Sequence, residues 1–107
     1  DFEKVAKLFP KLTIIFGHAG GECLYQEMAD IATRHPNTYL QYDGLPAPTL
    51  KAMLRHVDTH RVLYGSDWPT FPMALQLVRS LMATEDDQEL RDRLLYKNAQ
   101  QLLARFT

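Results

Sequence analysis

The sequence predicts an α/β fold in which parallel strands alternate with helices. Three runs of strand type, residues 12–17, 38–43 and 61–67, each end at a glycine or an aspartate. Behind each run, apolar residues recur at the three- and four-residue spacing of one helical face. Strands that alternate with helices in this way imply right-handed parallel crossovers. Because three strands are few, the unit is either a small open sheet or three-eighths of a TIM (β/α)8 barrel.

Composition places the chain among ordinary globular proteins. Its 107 residues are 46% hydrophobic and 23% charged, which is typical of one domain or a piece of one. The formal net charge of −1 gives no footprint for nucleic acid or an anionic membrane. No apolar run approaches the roughly 20 residues that span a bilayer, and the start shows no signal-peptide pattern. The lone Cys23 rules out an intrachain disulfide and fits a reducing compartment, so we expect a cytoplasmic protein.

The chain begins as if a helix were already under way. Phe2, Val5, Ala6 and Phe9 share one helical face, and nothing convincing caps the start of that helix. We therefore interpret residues 1–107 as a single domain or a domain fragment cut from something longer. A cleaved tag or a processed leader is the alternative explanation.

The first strand and the loop behind it form the first unit. Residues 12–17 are almost continuously apolar and rich in β-branched side chains, which is typical of a strand covered on both faces. The strand stops at Gly17-His18-Ala19-Gly20-Gly21, whose adjacent glycines let the backbone take positive φ and approach a ligand. Residues 24–34 then have the spacing of a helix.

The second and third units repeat this order. Residues 38–43 are a less apolar, partly alternating strand, and Pro48 suits the first turn of the helix that follows. The third strand ends in Gly65-Ser66-Asp67-Trp68-Pro69, where Pro69 disfavours helical geometry at Trp68 and forces a turn.

Two helical stretches complete the chain. Residues 74–81 have helical spacing, and Asp86 with Glu89 has the spacing of a capping box at the start of the next helix. Asn98 with Gln101 repeats that spacing, so we interpret Asn98 as a helix cap.

Each strand ends with a residue able to do chemistry: His18, Asp43 and Asp67. Because the carboxyl ends of parallel strands lie side by side, these residues are expected to converge on one rim. An imidazole there can ligate a metal, polarise a carbonyl or orient a water. Asp67 can hold a metal or move a proton, although an aspartate can also merely fix a turn. Four residues of the same rim are candidates for lining a substrate pocket: Gly20, Gly21, Asp43 and Trp68.

The count of ligands limits what this rim can do alone. A catalytic zinc site usually has three protein ligands, whereas His18 and Asp67 supply two, and the chain has no His-x-His pair. The other histidines fall at helix ends, where a positive charge is favourable, and we interpret them as structural. The chain also has no Gly-x-Ser-x-Gly elbow and no dinucleotide or phosphate-loop motif.

Three motifs together resemble the C-terminal part of a known family. Ile15-Phe16-Gly17-His18-Ala19-Gly20-Gly21, Val62 to Pro69, and Asn98-Ala99-Gln100-Gln101-Leu102-Leu103 occur in the order seen in the amidohydrolase-related metal-dependent hydrolases. These are TIM-barrel enzymes that include lactonases and decarboxylases. The resemblance covers nearly the whole chain.

The resemblance implies a position in the barrel for each strand and a role for Asp67 and His18. The three strands would be the sixth, seventh and eighth of the barrel. Asp67 would be the eighth-strand aspartate, which binds the metal or takes a proton, and His18 the sixth-strand histidine, which contacts the attacking water or the substrate. The implied cofactor is a divalent metal, zinc or manganese, and the implied substrate a small organic acid, lactone or amide. The family's His-x-His and fifth-strand histidine are missing, so we expect residues 1–107 alone to bind metal weakly and to be inactive.

Two other interpretations remain open. Strands taken from a closed barrel leave open edges that invite pairing, so the first alternative is a non-catalytic module that forms homo-oligomers or docks onto a missing N-terminal barrel half. The second alternative is a small independent α/β domain whose rim glycines bind an anion.

Overall fold

The computed structural model describes residues 2–107, with no account of the Glu22 side chain. The elements, in chain order, are α1 (Phe2–Leu8), β1 (Ile14–Phe16), an irregular turn (Gly17–Gly20), α2 (Gly21–Arg34), β2 (Thr38–Tyr42), α3 (Ala47–Leu54), a 3-10 turn (Thr59–Arg61), β3 (Val62–Tyr64), α4 (Met73–Ala83), α5 (Gln88–Asp92), a π-helical segment (Arg93–Lys97) and α6 (Asn98–Ala104). None of the helices described is both long enough and apolar enough to cross a membrane.

The three strands form one parallel sheet in the order β1-β2-β3. In the register of the sheet, Leu40 of the central strand pairs with Phe16 on one side and with Val62 on the other. The predicted α/β fold, with parallel strands joined through helices, is therefore confirmed. This topology brings the ends of all three strands to one rim.

Only one face of β1 is covered. Phe16 is buried on the side where the helices pack, whereas Ile15, on the opposite face, is 51% exposed. The prediction that this strand is covered on both faces is therefore wrong. An almost continuous apolar run does not by itself show that partners exist on both sides of the strand.

The core lies between the sheet and the helices. Leu40 and Tyr42 of β2 are fully buried there, and α2 contributes small and flexible side chains such as Ala29 and Met28. Tyr42 also donates or accepts a hydrogen bond with Ser80 of α4 at 2.9 Å, and burial raises the pKa of Tyr42 to about 12. Tyr42 therefore packs inside the fold and does not line the rim.

Helix α1 is fastened to the end of α2 by a carboxylate. Glu3 accepts hydrogen bonds from Arg34 and from His35, each at 3.0 Å. The bond from His35, followed by that from Arg34, lowers the pKa of Glu3 from its ordinary 4.5 to about 2. Of the apolar face predicted for α1, however, only Ala6 is buried, and Phe2 is 56% exposed.

The C-terminal helices differ from the predicted capping pattern. Asp87, not Asp86, caps α5 by accepting from the Leu90 N–H at 2.9 Å. Asn98 is also not a cap, because α5, the π segment and α6 follow without a break and Asn98 lies within that helical run. Its buried amide donates instead to the Thr59 and Val62 carbonyls at 2.7 and 2.8 Å, which ties the last helix to β3.

Candidate active site

The three residues that follow the strands meet at the rim. One ligand atom each from His18, Asp43 and Asp67 lie within 4.8 Å of one another. This is the only such group of three or more potential metal ligands found among the described residues. His18 follows β1, Asp43 follows β2 and Asp67 lies beyond β3, so the parallel topology creates the cluster.

The backbone is unusual at both ends of this cluster. His18 has φ 62° and Asp67 has φ 56°, in the left-handed backbone region that residues other than glycine seldom adopt. Such conformations cost on the order of 1–3 kcal/mol and collect at functional sites, where the surrounding structure holds them. The sharp turns bring both side chains to the rim immediately after the buried strands.

Asp43 holds the ring of His18. Its Oδ1 lies 2.6 Å from the Nδ1 of His18, and its Oδ2 accepts from the Nε2 of Gln41 at 2.8 Å. Because a carboxylate only accepts, Nδ1 of His18 carries the proton and Nε2 is the ring nitrogen left for a ligand. The His18 side chain is 65% exposed, so that nitrogen is within reach of solvent.

Negative charge around the imidazole favours its protonated form. The hydrogen bond to Asp43 raises the pKa of His18, the charge of Asp43 adds to this, and the charge of Asp67 contributes in the same direction. The imidazole is therefore well placed to stabilise negative charge that develops on a substrate.

The structure gives different positions to the four residues proposed to line a substrate pocket. Asp43 is only 7% exposed and faces His18, whereas Trp68 is 68% exposed. Gly20 has φ 79°, and a Cβ there would lie 2.7 Å from Met28, so close helix packing accounts for this glycine. A Cβ on Gly21 would meet nothing within 4 Å, which leaves the backbone open to a ligand.

One residue of the site has a role that its sequence pattern does not show. Gln41 was considered only as part of a strand, yet its amide bonds both to Asp43 and to the backbone N–H of His18 at 3.1 Å. At the opposite end of the sheet, before β3, His56 and His60 have the four-residue spacing of a helical metal pair, which the sequence analysis overlooked, but α3 ends at Leu54 and does not carry them. His60 interacts with Asp58 at 3.2 Å instead.

The family model described as amidohydrolase matches residues 1–105, almost the whole chain. The chain belongs to the amidohydrolase family. A crystal structure titled "Amidohydrorolase II", a structural genomics target, superposes with a TM-score of 0.67 at 24% identity, covering 94% of this chain and 38% of that one. At this identity the likeness shows the fold. No curated protein matches the chain.

The amidohydrolase chain therefore spans little more than a third of the length of this solved structure. Its three parallel strands with alternating helices are consistent with part of a TIM-barrel amidohydrolase fold.

The donor set at the rim of the amidohydrolase chain suits a divalent metal. Imidazole nitrogen and carboxylate oxygen are the ligands that zinc and manganese accept. Both carboxylate oxygens of Asp43 already accept hydrogen bonds, so His18 and Asp67 are the two donors best placed to bind a metal. Asp43 would then orient His18, as carboxylates behind metal-binding histidines commonly do.

Proposed function

We propose that the chain supplies the His18 and Asp67 part of a metal-dependent hydrolase or decarboxylase site, acting on a small organic acid, lactone or amide. The supporting observation is the cluster of His18, Asp43 and Asp67, whose ligand atoms lie within 4.8 Å of one another at one rim. Membership of the amidohydrolase family supports a hydrolytic reaction in general.

Each residue of the cluster has a distinct task in this proposal. Asp67 takes the proton of the attacking water. Among the described residues, His18 and Gln41 form hydrogen bonds to the carboxylate of Asp43 and not to that of Asp67, which leaves the Asp67 carboxylate able to accept. Through Nε2, His18 either binds the metal as the neutral imidazole or donates to the substrate oxygen as the imidazolium, and Asp43 accepts from Nδ1 in both forms. A divalent metal, when bound, supplies polarisation of the substrate oxygen and activation of water.

The site is incomplete with these donors alone. Catalytic zinc usually has three protein ligands and an open position, and His18 with Asp67 supplies two. The remaining donors would come from the other strands of a barrel, which makes that part of a barrel the chain's natural partner. The isolated chain should bind zinc or manganese weakly and turn over no substrate.

Titration of the isolated chain with zinc in a calorimeter tests this proposal. We expect weak binding that is lost in Asp67→Asn, because the substitution removes one of two donors while asparagine still tolerates the left-handed backbone found at this position. Asp86→Asn, which changes an exposed aspartate in the turn before α5, is the matched control and should bind like the wild type. Equal binding by Asp67→Asn and wild type would contradict the assignment of Asp67.

A second candidate function is self-association without catalysis. Both β1 and β3 are edge strands of the sheet, and Ile15 presents an exposed apolar side chain on the uncovered face of β1. Apolar residues of α4 are exposed as well, including Leu77 and Met82. Open edges and apolar surface of this kind favour pairing with a further copy of the chain.

Sedimentation velocity across micromolar concentrations distinguishes where copies would meet. If pairing uses the β1 edge, Ile15→Lys should shift the wild-type oligomer toward monomer, because a lysine charge opposes edge pairing. In that case Met82→Lys, which places the same charge on α4 at a residue 59% exposed in the wild type, should leave the oligomer intact, whereas the reverse pattern would place the contact on α4. A wild-type chain that sediments as a single monomeric species throughout would count against self-association.

A further inference from the structure

Both polar atoms of the Gln41 side-chain amide form hydrogen bonds within the site. Its Oε1 accepts from the backbone N–H of His18 at 3.1 Å, and its Nε2 donates to Asp43 at 2.8 Å and to the Tyr42 carbonyl at 3.0 Å. The amide orientation follows from these partners, since the flipped form would set Oε1 against a carboxylate and a carbonyl. With both amide protons engaged, Gln41 has none left to donate to a substrate.

The bonds of Gln41 close a ring around His18. The ring runs from the His18 N–H to the Gln41 amide, on to the Asp43 carboxylate, and back to Nδ1 of the His18 imidazole at 2.6 Å. His18 is thereby held at its backbone and at its side chain, in a left-handed conformation that needs such support. We propose that Gln41 is a positioning residue that fixes the backbone and the tautomer of His18.

Two glycines flank the Gln41 amide and explain why it fits there. A Cβ built on Gly65 would lie 1.9 Å from Nε2 of Gln41, whereas a Cβ on Gly17 would lie 3.6 Å from Oε1, an ordinary contact. Neither glycine has the positive φ that excludes other residues. Gly65 is therefore needed for the space that the Gln41 side chain occupies.

This difference gives a matched pair of variants. Gly65→Ala displaces the Gln41 amide without removing any hydrogen-bonding group, and Gly17→Ala adds the same methyl group where there is room. Gln41→Ala removes the amide and also relieves the clash. If Gly65→Ala acts through Gln41, it should change little when it is added to Gln41→Ala.

The readout is the pair of ring nitrogen shifts of His18, measured by NMR in the whole chain at alkaline pH, where the imidazole is neutral. We expect one tautomer, with the proton on Nδ1, in the wild type and in Gly17→Ala. Gly65→Ala and Gln41→Ala should move part of the population to the Nε2–H form, and the double variant should match Gln41→Ala. Folded Gln41→Ala that keeps the wild-type ring shifts would overturn the proposal, even if Gly65→Ala does not fold.

The effect on metal rests on the proposed function and is measured separately. If His18 ligates zinc, loss of its supporting network should weaken zinc binding by about 10–100-fold. Altered ring shifts in a chain that binds no zinc at all would support the role of Gln41 and count against the metal site. Unchanged ring shifts with intact zinc binding by every variant would support the metal site and count against the role of Gln41.

Discussion

When the chain is fused to the remaining strands of the solved amidohydrolase to complete a barrel, Asp67→Asn should slow hydrolysis by about 10²–10⁴-fold. This is the usual contribution of a positioned acid or base. In this fusion, the chain replaces the matching 38% of the solved amidohydrolase structure. Asparagine keeps the size of the side chain and tolerates φ 56°, so the proton acceptor is lost without added backbone strain. In barrier height, the loss amounts to about 3–5 kcal/mol.

The assay follows metal-dependent cleavage of a lactone and an anilide, and release of carbon dioxide from an organic acid. Asp86→Asn in the same fusion is the control and should retain the activity of the unmodified fusion, because Asp86 is exposed in the turn before α5. A fusion whose hydrolysis survives Asp67→Asn would show that another group takes the proton.

Leu40→Ala is expected to lower the free energy of unfolding by about 2–5 kcal/mol, the range for large-to-small changes in a core. Leu40 is fully buried on the central strand, between its register partners Phe16 and Val62. The substitution leaves a cavity beneath all three strands, which the neighbouring backbones cannot close because each is fixed by the sheet. Against a typical total stability of about 5–15 kcal/mol, this loss is large.

Urea denaturation followed by circular dichroism measures the change. Leu103→Ala is the matched control, since Leu103 is 64% exposed on α6 and should cost less than about 0.5 kcal/mol. If both leucines cost the same, the β2 face that carries Leu40 would not be the centre of the core.

The order of elements and the meeting of His18 with Asp67 follow from features that a sequence displays directly. Apolar runs that end at Gly17 and Gly65 indicate strands, and parallel topology is sufficient to bring their ends together. The bond between Asp43 and His18 needed more, because which rim side chains touch depends on rotamers and on the left-handed turn at His18.

Gln41 and Asn98 show where patterns mislead. A glutamine in an alternating strand resembles any solvent-facing residue, and its role appears only once the structure shows its side-chain amide between Gly17 and Gly65. Asn98 has the spacing of a cap, yet the helix runs through it and its amide serves the Thr59 and Val62 carbonyls. In both cases a polar side chain bonds to residues distant in sequence, which local periodicity does not encode.

Line broadening by Mn²⁺ in the NMR spectrum of the isolated chain tests most directly whether His18 and Asp67 form one metal site. At substoichiometric Mn²⁺ we expect the signals of His18, Asp43 and Asp67 to broaden first, because their ligand atoms lie within 4.8 Å of one another. Broadening centred on the exposed acidic turn at Asp86 and Asp87, with His18 and Asp67 left sharp, would contradict this site.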